Sequence, residues 1–410
     1  MSNAKVSYNN QIELQENIFK NDEVYIRQKD LFDKFEKYLL AKLKSNYDQR
    51  HKLWKRNFSS LKAYEKSVET NRQHFLASLG GWAWARKPLK CKKELIKEFD
   101  KYTLFRITYT LFENVRSDSL LLIPKCKGPH AAVLVQVGVN GAPETICGFT
   151  KGSRKGGYHS IGSRLAEHGY VVIAPRMITG FAPSSTKENR VPQFMSKVQN
   201  KIFKEIHDKY GRDQAKSFAP QAHAIVYINR LCRMMGKDLK GLEMFCLSRA
   251  VDVLETLKEV KKDKIGMYGL SQGGQSALWL PALEKRIKAT VSSCFFNERF
   301  TKQVMKTPET DPFLHTAEGD KIYPHLNEFA DSDIASLICP RGFFVEAGRK
   351  DSAVDWKMSK KAFAEVQTFY NKLGIPEKCK WGFHEGIHEV ENLPNVADLQ
   401  FVKFLDKELK

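Results

Sequence analysis

The stretch that decides the fold joins an apolar run to a serine between glycines: Lys264-Ile265-Gly266-Met267-Tyr268-Gly269-Leu270-Ser271-Gln272-Gly273. The apolar run predicts a buried strand, and the G-x-S-x-G pattern predicts a sharp turn from that strand into a helix. Glycine is needed on both sides of the serine because a Cβ there would collide with the neighbouring strand or helix. We therefore expect Ser271 to project alone above a sheet, as a candidate nucleophile.

Buried strands and helices alternate on both sides of this turn. Residues 131–137 and 169–175 are apolar on both faces, which is typical of central parallel strands covered by helices. Residues 102–124 alternate apolar and polar positions and predict an antiparallel pair at the sheet edge. Further strands are expected at 287–296, 341–347 and 381–383, and helices at 160–168, 240–260, 271–283, 356–373 and 396–405. The fold class is α/β, with a mainly parallel, doubly wound sheet and helices on both faces.

The chain divides into two regions by composition. Residues 1–100 predict an N-terminal helical extension, because apolar residues recur at helical spacing and Gly80-Gly81 ends the pattern. Residues 101–410 hold the sheet. Within them, residues 176–240 form a long insertion with helices expected near 195–210 and 221–235, and both a lid over the site and a surface elaboration fit it.

A formal net charge of +20 raises nucleic acid or an acidic membrane surface as a partner. The excess is spread, with +8 in residues 1–100 and +12 in the other 310. The sequence has no long basic block, zinc-finger spacing or aromatic-basic RNA-binding motif, so we expect no nucleic-acid partner. The amphipathic N-terminal helices could pack on the sheet domain or form a contact between copies of the chain.

The eight cysteines are scattered without a C-x-x-C pair, which disfavours a disulfide framework or a thiolate zinc site. Reduced thiols are typical of a cytoplasmic protein. A location outside the cell after removal of a signal peptide stays open, since Ser2-Asn3-Ala4 need not be the original start. No apolar stretch is long enough to span a bilayer, and we expect no cofactor and no metal.

A serine hydroxyl needs a base and a carboxylate to become a nucleophile, and both are expected later in the chain. Asp351 is the candidate acid, because it follows a buried strand at the edge where parallel sheets present functional groups. Glu346 and Asp355 are the competitors. Glu346 still lies within the strand, and Asp355 starts the next helix, where it would cap the N-terminus.

His384 and His388 are the candidate bases. Their spacing of four residues could indicate a metal pair on a helix, but the intervening Gly386 and the preceding strand favour a loop. His388 lies after the turn and before the last helix, so it is the candidate base. In this arrangement His388 takes the proton of Ser271 while Asp351 orients the imidazole.

The developing negative charge needs hydrogen-bond donors placed in advance. The backbone N–H of Gln272, at the start of the helix, is one candidate. The other is expected in the glycine-containing loop 138–141, where we select the backbone N–H of Val139. The alternative is that these glycines only form a turn.

Taken in order, these motifs resemble the dienelactone hydrolase and acetyl xylan esterase-like branch of the α/β-hydrolase superfamily, from about Ser67 to the C-terminus. The segments on which this resemblance rests are Val133–Gly141, Leu165–Pro175, Gly269–Gly274, Asp333–Arg341, Gly348–Asp351 and Gly386–Glu389. The family often has His-Gly at the oxyanion loop, whereas this chain has Val137-Gly138, which alters the side-chain support of that loop.

The resemblance implies a serine hydrolase that cleaves a small or medium carboxylic ester through an acyl-enzyme. Two alternatives remain. One is a peptidase or amidase of the prolyl-oligopeptidase-like type, which shares the order Ser, Asp, His but commonly adds a β-propeller. The other is a catalytically silent hydrolase fold that serves as a binding protein.

Overall fold

The computed structural model describes residues 21–82, 84–139, 141–152, 156–178, 220–305 and 325–410. Its strands are β1 (Lys92–Glu98), β2 (Tyr102–Phe112), β3 (Val115–Pro124), β4 (His130–Gln136), β5 (Val171–Pro175), β6 (Val260–Leu270), β7 (Ile287–Ser293), β8 (Gly342–Gly348) and β9 (Cys379–His384). Its α-helices are α1 (Asn21–Gln49), α2 (Leu61–Ser67), α3 (Glu69–Ser78), α4 (Pro143–Ile146), α5 (Ile161–Glu167), α6 (Pro220–Met234), α7 (Leu239–Thr256), α8 (Gln272–Leu283), α9 (Arg299–Val304), α10 (Asp331–Ser336), α11 (Trp356–Lys372) and α12 (Gln400–Leu409).

The described strands form one sheet in the order β1-β2-β3-β5-β4-β6-β7-β8-β9. The first three strands and β5 pair antiparallel, as the alternation in residues 102–124 predicts. From β5 to β9 every neighbouring pair is parallel. The carboxyl ends of these parallel strands therefore meet along one edge, and β6 with its serine turn lies in the middle.

Helices cover both faces of the sheet, which confirms the doubly wound α/β class. One core cluster contains buried residues of α3, α7, α8, α10 and α11, and the other contains buried residues of α5 and α12. The parallel strands β5 and β8 are buried along their whole length. The sheet is therefore a rigid platform for the loops at its carboxyl edge.

Strand β1 lies inside the range expected to be helical, so the sheet begins before residue 101. All seven of its residues are exposed, and its sequence, Lys-Lys-Glu-Leu-Ile-Lys-Glu, lacks the alternation by which a half-buried strand is recognised. Charged residues on such an edge strand discourage pairing with another chain.

The N-terminal helices share the core of the sheet domain. The ring of Phe75 on α3 lies edge-on to the ring of Trp279 on α8, with 5.5 Å between their centroids. The buried Tyr64 on α2 donates a hydrogen bond to the carbonyl of Ser336. Arg50 and Arg56 both pair with the buried Asp333. These helices therefore support the helix that follows the serine turn.

The helix expected near 195–210, and with it the lid interpretation, lies outside the described residues. The second helix expected in that insertion is α6. Among the described residues, none of the helices is both long and apolar enough to cross a membrane.

Candidate active site

Ser271 sits on a strained turn between β6 and α8. Its backbone has φ 62° and ψ −122°, a conformation that is costly for a residue with a side chain. A Cβ on Gly269 would lie 2.0 Å from the carbonyl oxygen of Gly273, and a Cβ on Gly273 would lie 2.1 Å from that of Gln136. The glycines of the pattern are thus required by close backbone packing. The turn is held by a hydrogen bond from Ser271 N to the carbonyl of Ser293, at the end of β7.

Asp351 and His388 meet at the same sheet edge, in the loops after β8 and β9. The distance from His388 Nδ1 to Asp351 Oδ2 is 2.8 Å. Asp351 Oδ1 accepts the backbone N–H groups of Ala353 and Val354, at 2.7 and 3.0 Å. Burial alone would raise the pKa of Asp351, but hydrogen bonds from His388 and Ala353 outweigh it and lower that pKa. The carboxylate is therefore charged and fixed in orientation.

The other acid and base candidates have structural partners. Asp355 caps α11 and accepts the N–H of Lys357. Glu346 lies within β8, where burial raises its pKa to about 8 and Ser293 Oγ donates to it at 2.6 Å. His384 ends β9; burial lowers its pKa, and its Nδ1 accepts the N–H of Gly386. Of the candidate acids and bases, Asp351 and His388 are therefore the two that face each other.

The hydroxyl of Ser271 and the ring of His388 are not joined by a hydrogen bond in this structure, although both residues are described. Catalytic hydrogen bonds are often long or poorly aligned without substrate and tighten when the substrate binds. The side chain of His388 is 29% exposed and that of Asp351 is 0% exposed, so the imidazole faces the open side of the pair.

The loop after β4 lies against the serine turn. A Cβ on Gly138 would lie 3.0 Å from Ser271 Cβ, so the glycine is required by close approach. The backbone N–H of Val139 makes no hydrogen bond to any described residue. The backbone N–H of Gln272 lies at the first position of α8, where the helix dipole favours negative charge. Both candidate donors therefore lie beside the serine.

Sequence reasoning missed two residues at this edge. The hydroxyl of Tyr158 accepts the N–H of Gly138 at 2.7 Å. The buried Cys294 follows β7 with φ 51°, and its thiol helps to lower the pKa of Asp351. In the sequence Cys294 stands inside an apolar run, so no local signal distinguishes it from a core residue.

Cys294, Asp351 and His388 each offer one potential metal ligand, and the three atoms lie within 4.8 Å of one another. Within the described ranges no other such cluster is present. Burial raises the pKa of the Cys294 thiol well above its ordinary range, so it is neutral. A neutral thiol beside an already bonded carboxylate and imidazole suits a hydrogen-bonded catalytic pair better than a thiolate metal site. His384, which with His388 would have formed a helical metal pair, is not in the cluster.

Comparison with known proteins concerns the family and the fold. Residues 146–328 match the model of the dienelactone hydrolase family. Over this segment, which is less than half of the chain, the protein is similar to that family. The matched segment contains Ser271 but ends before Asp351 and His388. YtaP of Bacillus subtilis, a candidate hydrolase, is 34% identical over 146 residues, which are 35% of this chain and 46% of that protein. The chain thus spans less than half of the length of this relative.

Solved esterases have the same fold as the hydrolase domain. A candidate acetyl xylan esterase from Bacteroides fragilis superposes with a TM-score of 0.56 at 17% identity, covering 80% of this chain and 76% of its own. A glucuronoyl esterase from Solibacter usitatus superposes with a TM-score of 0.55 at 16% identity, covering 84% and 94%. At these identities the likeness concerns the fold.

A cavity of about 450 Å³ adjoins the loop after β4 and includes Gly141 in its wall. Most of its wall is apolar: the side chains of Leu111, Phe112, Met177, Ile178 and Leu242 all contribute. Arg176 at this cavity is paired with Asp118 and Glu144. Ligand sites commonly have this size and lining, with a few polar groups.

Proposed function

We propose that the protein is a serine hydrolase that cleaves a carboxylic ester through an acyl-enzyme. The observation that carries this proposal is the 2.8 Å hydrogen bond between His388 and Asp351 at the sheet edge where Ser271 turns into α8. The family match and the fold of solved esterases support the same chemistry.

In the proposed reaction, Ser271 Oγ attacks the ester carbonyl and its proton passes to His388 Nε2. Asp351 holds the proton on His388 Nδ1 and stabilises the imidazolium. The backbone N–H groups of Gln272 and Val139 stabilise the oxyanion. His388 then returns the proton to the leaving alcohol, and a water molecule, activated by His388, releases the acid and regenerates Ser271.

The cavity beside Gly141 supports an apolar acyl or alcohol group of small to medium size. This can be tested with p-nitrophenyl esters from acetyl to octanoyl and with Leu242→Trp, which would fill the cavity. We expect the variant to lose activity on the longer esters and to keep it on acetate. Unchanged activity on all chain lengths would place the substrate elsewhere.

The proposed chemistry is tested by pre-steady-state hydrolysis of p-nitrophenyl acetate. We expect a burst of p-nitrophenol equal to the enzyme concentration, and no burst from Ser271→Ala. Ser78→Ala, whose hydroxyl bonds the carbonyl of Phe75 on α3, is the matched control and should keep the burst. Turnover of anilides at a similar rate would favour the amidase alternative. The absence of any turnover would favour the silent fold.

We further propose that α1 forms a contact between two copies of the chain. Leu31, Phe32, Phe35, Tyr38 and Leu39 follow helical spacing, and each is more than half exposed. Five such side chains present on the order of 500 Å². A symmetrical pair would bury about 1,000 Å², near the lower limit for a specific interface.

Sedimentation velocity tests this contact. The wild-type protein should show a concentration-dependent dimer, and Phe35→Glu should be monomeric. Lys37→Glu also adds negative charge to α1 but lies off the apolar stripe, and it should still dimerise. A wild type that stays monomeric at every concentration would contradict the contact.

All eight cysteines, each in a described part of the chain, are free thiols. This supports a reducing, cytoplasmic location.

A further inference from the structure

The hydroxyl of Tyr158 lies within the candidate oxyanion site. It is 3.1 Å from the point that a Cβ on Gly138 would occupy, and Ser271 Cβ is 3.0 Å from the same point. The hydroxyl is therefore no more than 6.1 Å from Ser271 Cβ. This separation is short enough for the oxygen of a carbonyl carbon bonded to Ser271 Oγ to reach the hydroxyl.

The segment around Tyr158 is tied to the loop that carries His388. The carbonyl of Gly157 accepts the N–H of Val390 at 2.7 Å. The ring of His159 contacts the carboxylate of Glu389, with 3.0 Å between Nε2 and Oε2. His159 has φ 44°, a strained conformation that persists only where surrounding contacts enforce it. Tyr158 is thus held in a fixed position relative to both Ser271 and His388.

The phenol of Tyr158 is a hydrogen-bond donor at neutral pH. Burial raises its pKa to about 12, so it keeps its proton. Its oxygen accepts the N–H of Gly138, and its own proton has no acceptor among the described residues. This half-buried hydroxyl can therefore donate its proton to a partner that enters the site. The oxyanion of a tetrahedral intermediate would be such a partner.

We infer that Tyr158 is a third oxyanion donor, which gives its hydroxyl hydrogen bond to the negatively charged oxygen formed when Ser271 attacks. This inference rests on the proposed ester hydrolysis. As the Oγ–C bond forms, the carbonyl π pair moves onto the oxygen, and the proton of Ser271 moves to His388. Tyr158 shares its proton with that oxygen without transferring it, and the hydrogen bond weakens when the carbonyl reforms. The side chain thus gives the loop at Val137-Gly138 a hydrogen-bonding group.

A positioning role is the competing explanation, because Tyr158 also fixes the N–H of Gly138. Both roles predict that Tyr158→Phe loses activity, with kcat for p-nitrophenyl acetate falling about 10²-fold and KM changing little. Tyr170→Phe removes another hydroxyl, which bonds Asp406 away from the site, and should leave kcat unchanged. Circular dichroism establishes that both variants fold.

Replacing Tyr158 with 3,5-difluorotyrosine separates the two roles, because fluorine makes the phenol a stronger donor and a weaker acceptor. If Tyr158 donates to the oxyanion, the fluorinated enzyme should have a kcat equal to or higher than that of the wild type, measured at a pH below the pKa of the fluorinated phenol. A fall in kcat with the fluorinated residue would assign Tyr158 a positioning role and overturn the inference.

The outcomes also separate this inference from the proposed function. A wild-type protein with no esterase activity and no labelling of Ser271 by an organophosphate would refute the proposed function. An active wild type with Tyr158→Phe within threefold of it would overturn only the role of Tyr158.

Discussion

Replacing Asp351 with Asn tests the tautomer of His388 without changing the shape of the site. Asp351 Oδ1 accepts two backbone N–H groups, so the amide oxygen of Asn should occupy that position. The amide NH₂ group then faces His388 Nδ1 at about the distance of the present 2.8 Å hydrogen bond. Because NH₂ is a donor, Nδ1 must accept, and the ring proton moves to Nε2. His388 can then no longer take the proton of Ser271.

We expect kcat to fall about 10³- to 10⁴-fold, as for the equivalent change in other serine triads. This corresponds to about 4–5.5 kcal/mol of lost transition-state stabilisation. KM should change little, because the substrate does not touch Asp351. The assay is steady-state hydrolysis of p-nitrophenyl acetate, with thermal unfolding measured on the same samples.

Asp355→Asn is the matched control, because Asp355 has the same side chain four residues on and caps α11. It should keep the wild-type kcat and lose at most about 1 kcal/mol of stability. A loss of less than tenfold in Asp351→Asn, or the same loss in both variants, would refute the assignment of Asp351 as the acid.

Two further predictions concern the sheet edge. Gly273→Ala should abolish activity and strongly destabilise the fold, because the new Cβ would lie 2.1 Å from the carbonyl oxygen of Gln136. Gly374→Ala should cost only about 1–2 kcal/mol of stability, because Gly374 has φ 71° but no atom within 4 Å of the new Cβ. Chemical denaturation compares the two variants, and equal losses of stability would contradict the packing argument. Burial raises the pKa of Glu346 from 4.5 to about 8, so the folded protein holds this proton more tightly than the unfolded chain does. The resulting contribution to the free energy of unfolding is fully present below pH 4.5 and should be lost as the pH rises to 8. Glu346→Gln should make the free energy of unfolding fall less steeply with pH, by up to about 1.4 kcal/mol per pH unit. If the slope between pH 5 and 8 is the same in this variant as in the wild type, the prediction is wrong.

The sequence predicted features that local patterns determine. The serine turn follows from two glycines and an apolar run, and the mainly parallel sheet follows from buried runs separated by helices. The positions of Asp351 and His388 followed from the rule that parallel strands present functional groups at their carboxyl ends. Their hydrogen bond is a tertiary contact between loops 37 residues apart.

Other features left no local signal. Strand β1 is polar and fully exposed, so it lacks the alternation of a half-buried strand. Tyr158 acts on Gly138, twenty residues away, through a fold that no motif encodes. Cys294 stands in an apolar run, which predicts an ordinary core residue, and its proximity to Asp351 arises only in the fold. Both site residues depend on tertiary geometry that single-sequence patterns do not contain.

The central claim, that Ser271 is an activated nucleophile, is tested most directly by labelling the folded protein with a fluorophosphonate and mapping the adduct by mass spectrometry. We predict one adduct per chain on Ser271, with labelling slowed in proportion to kcat in Asp351→Asn. Folded protein that takes no label, or takes it on another residue, would contradict the claim.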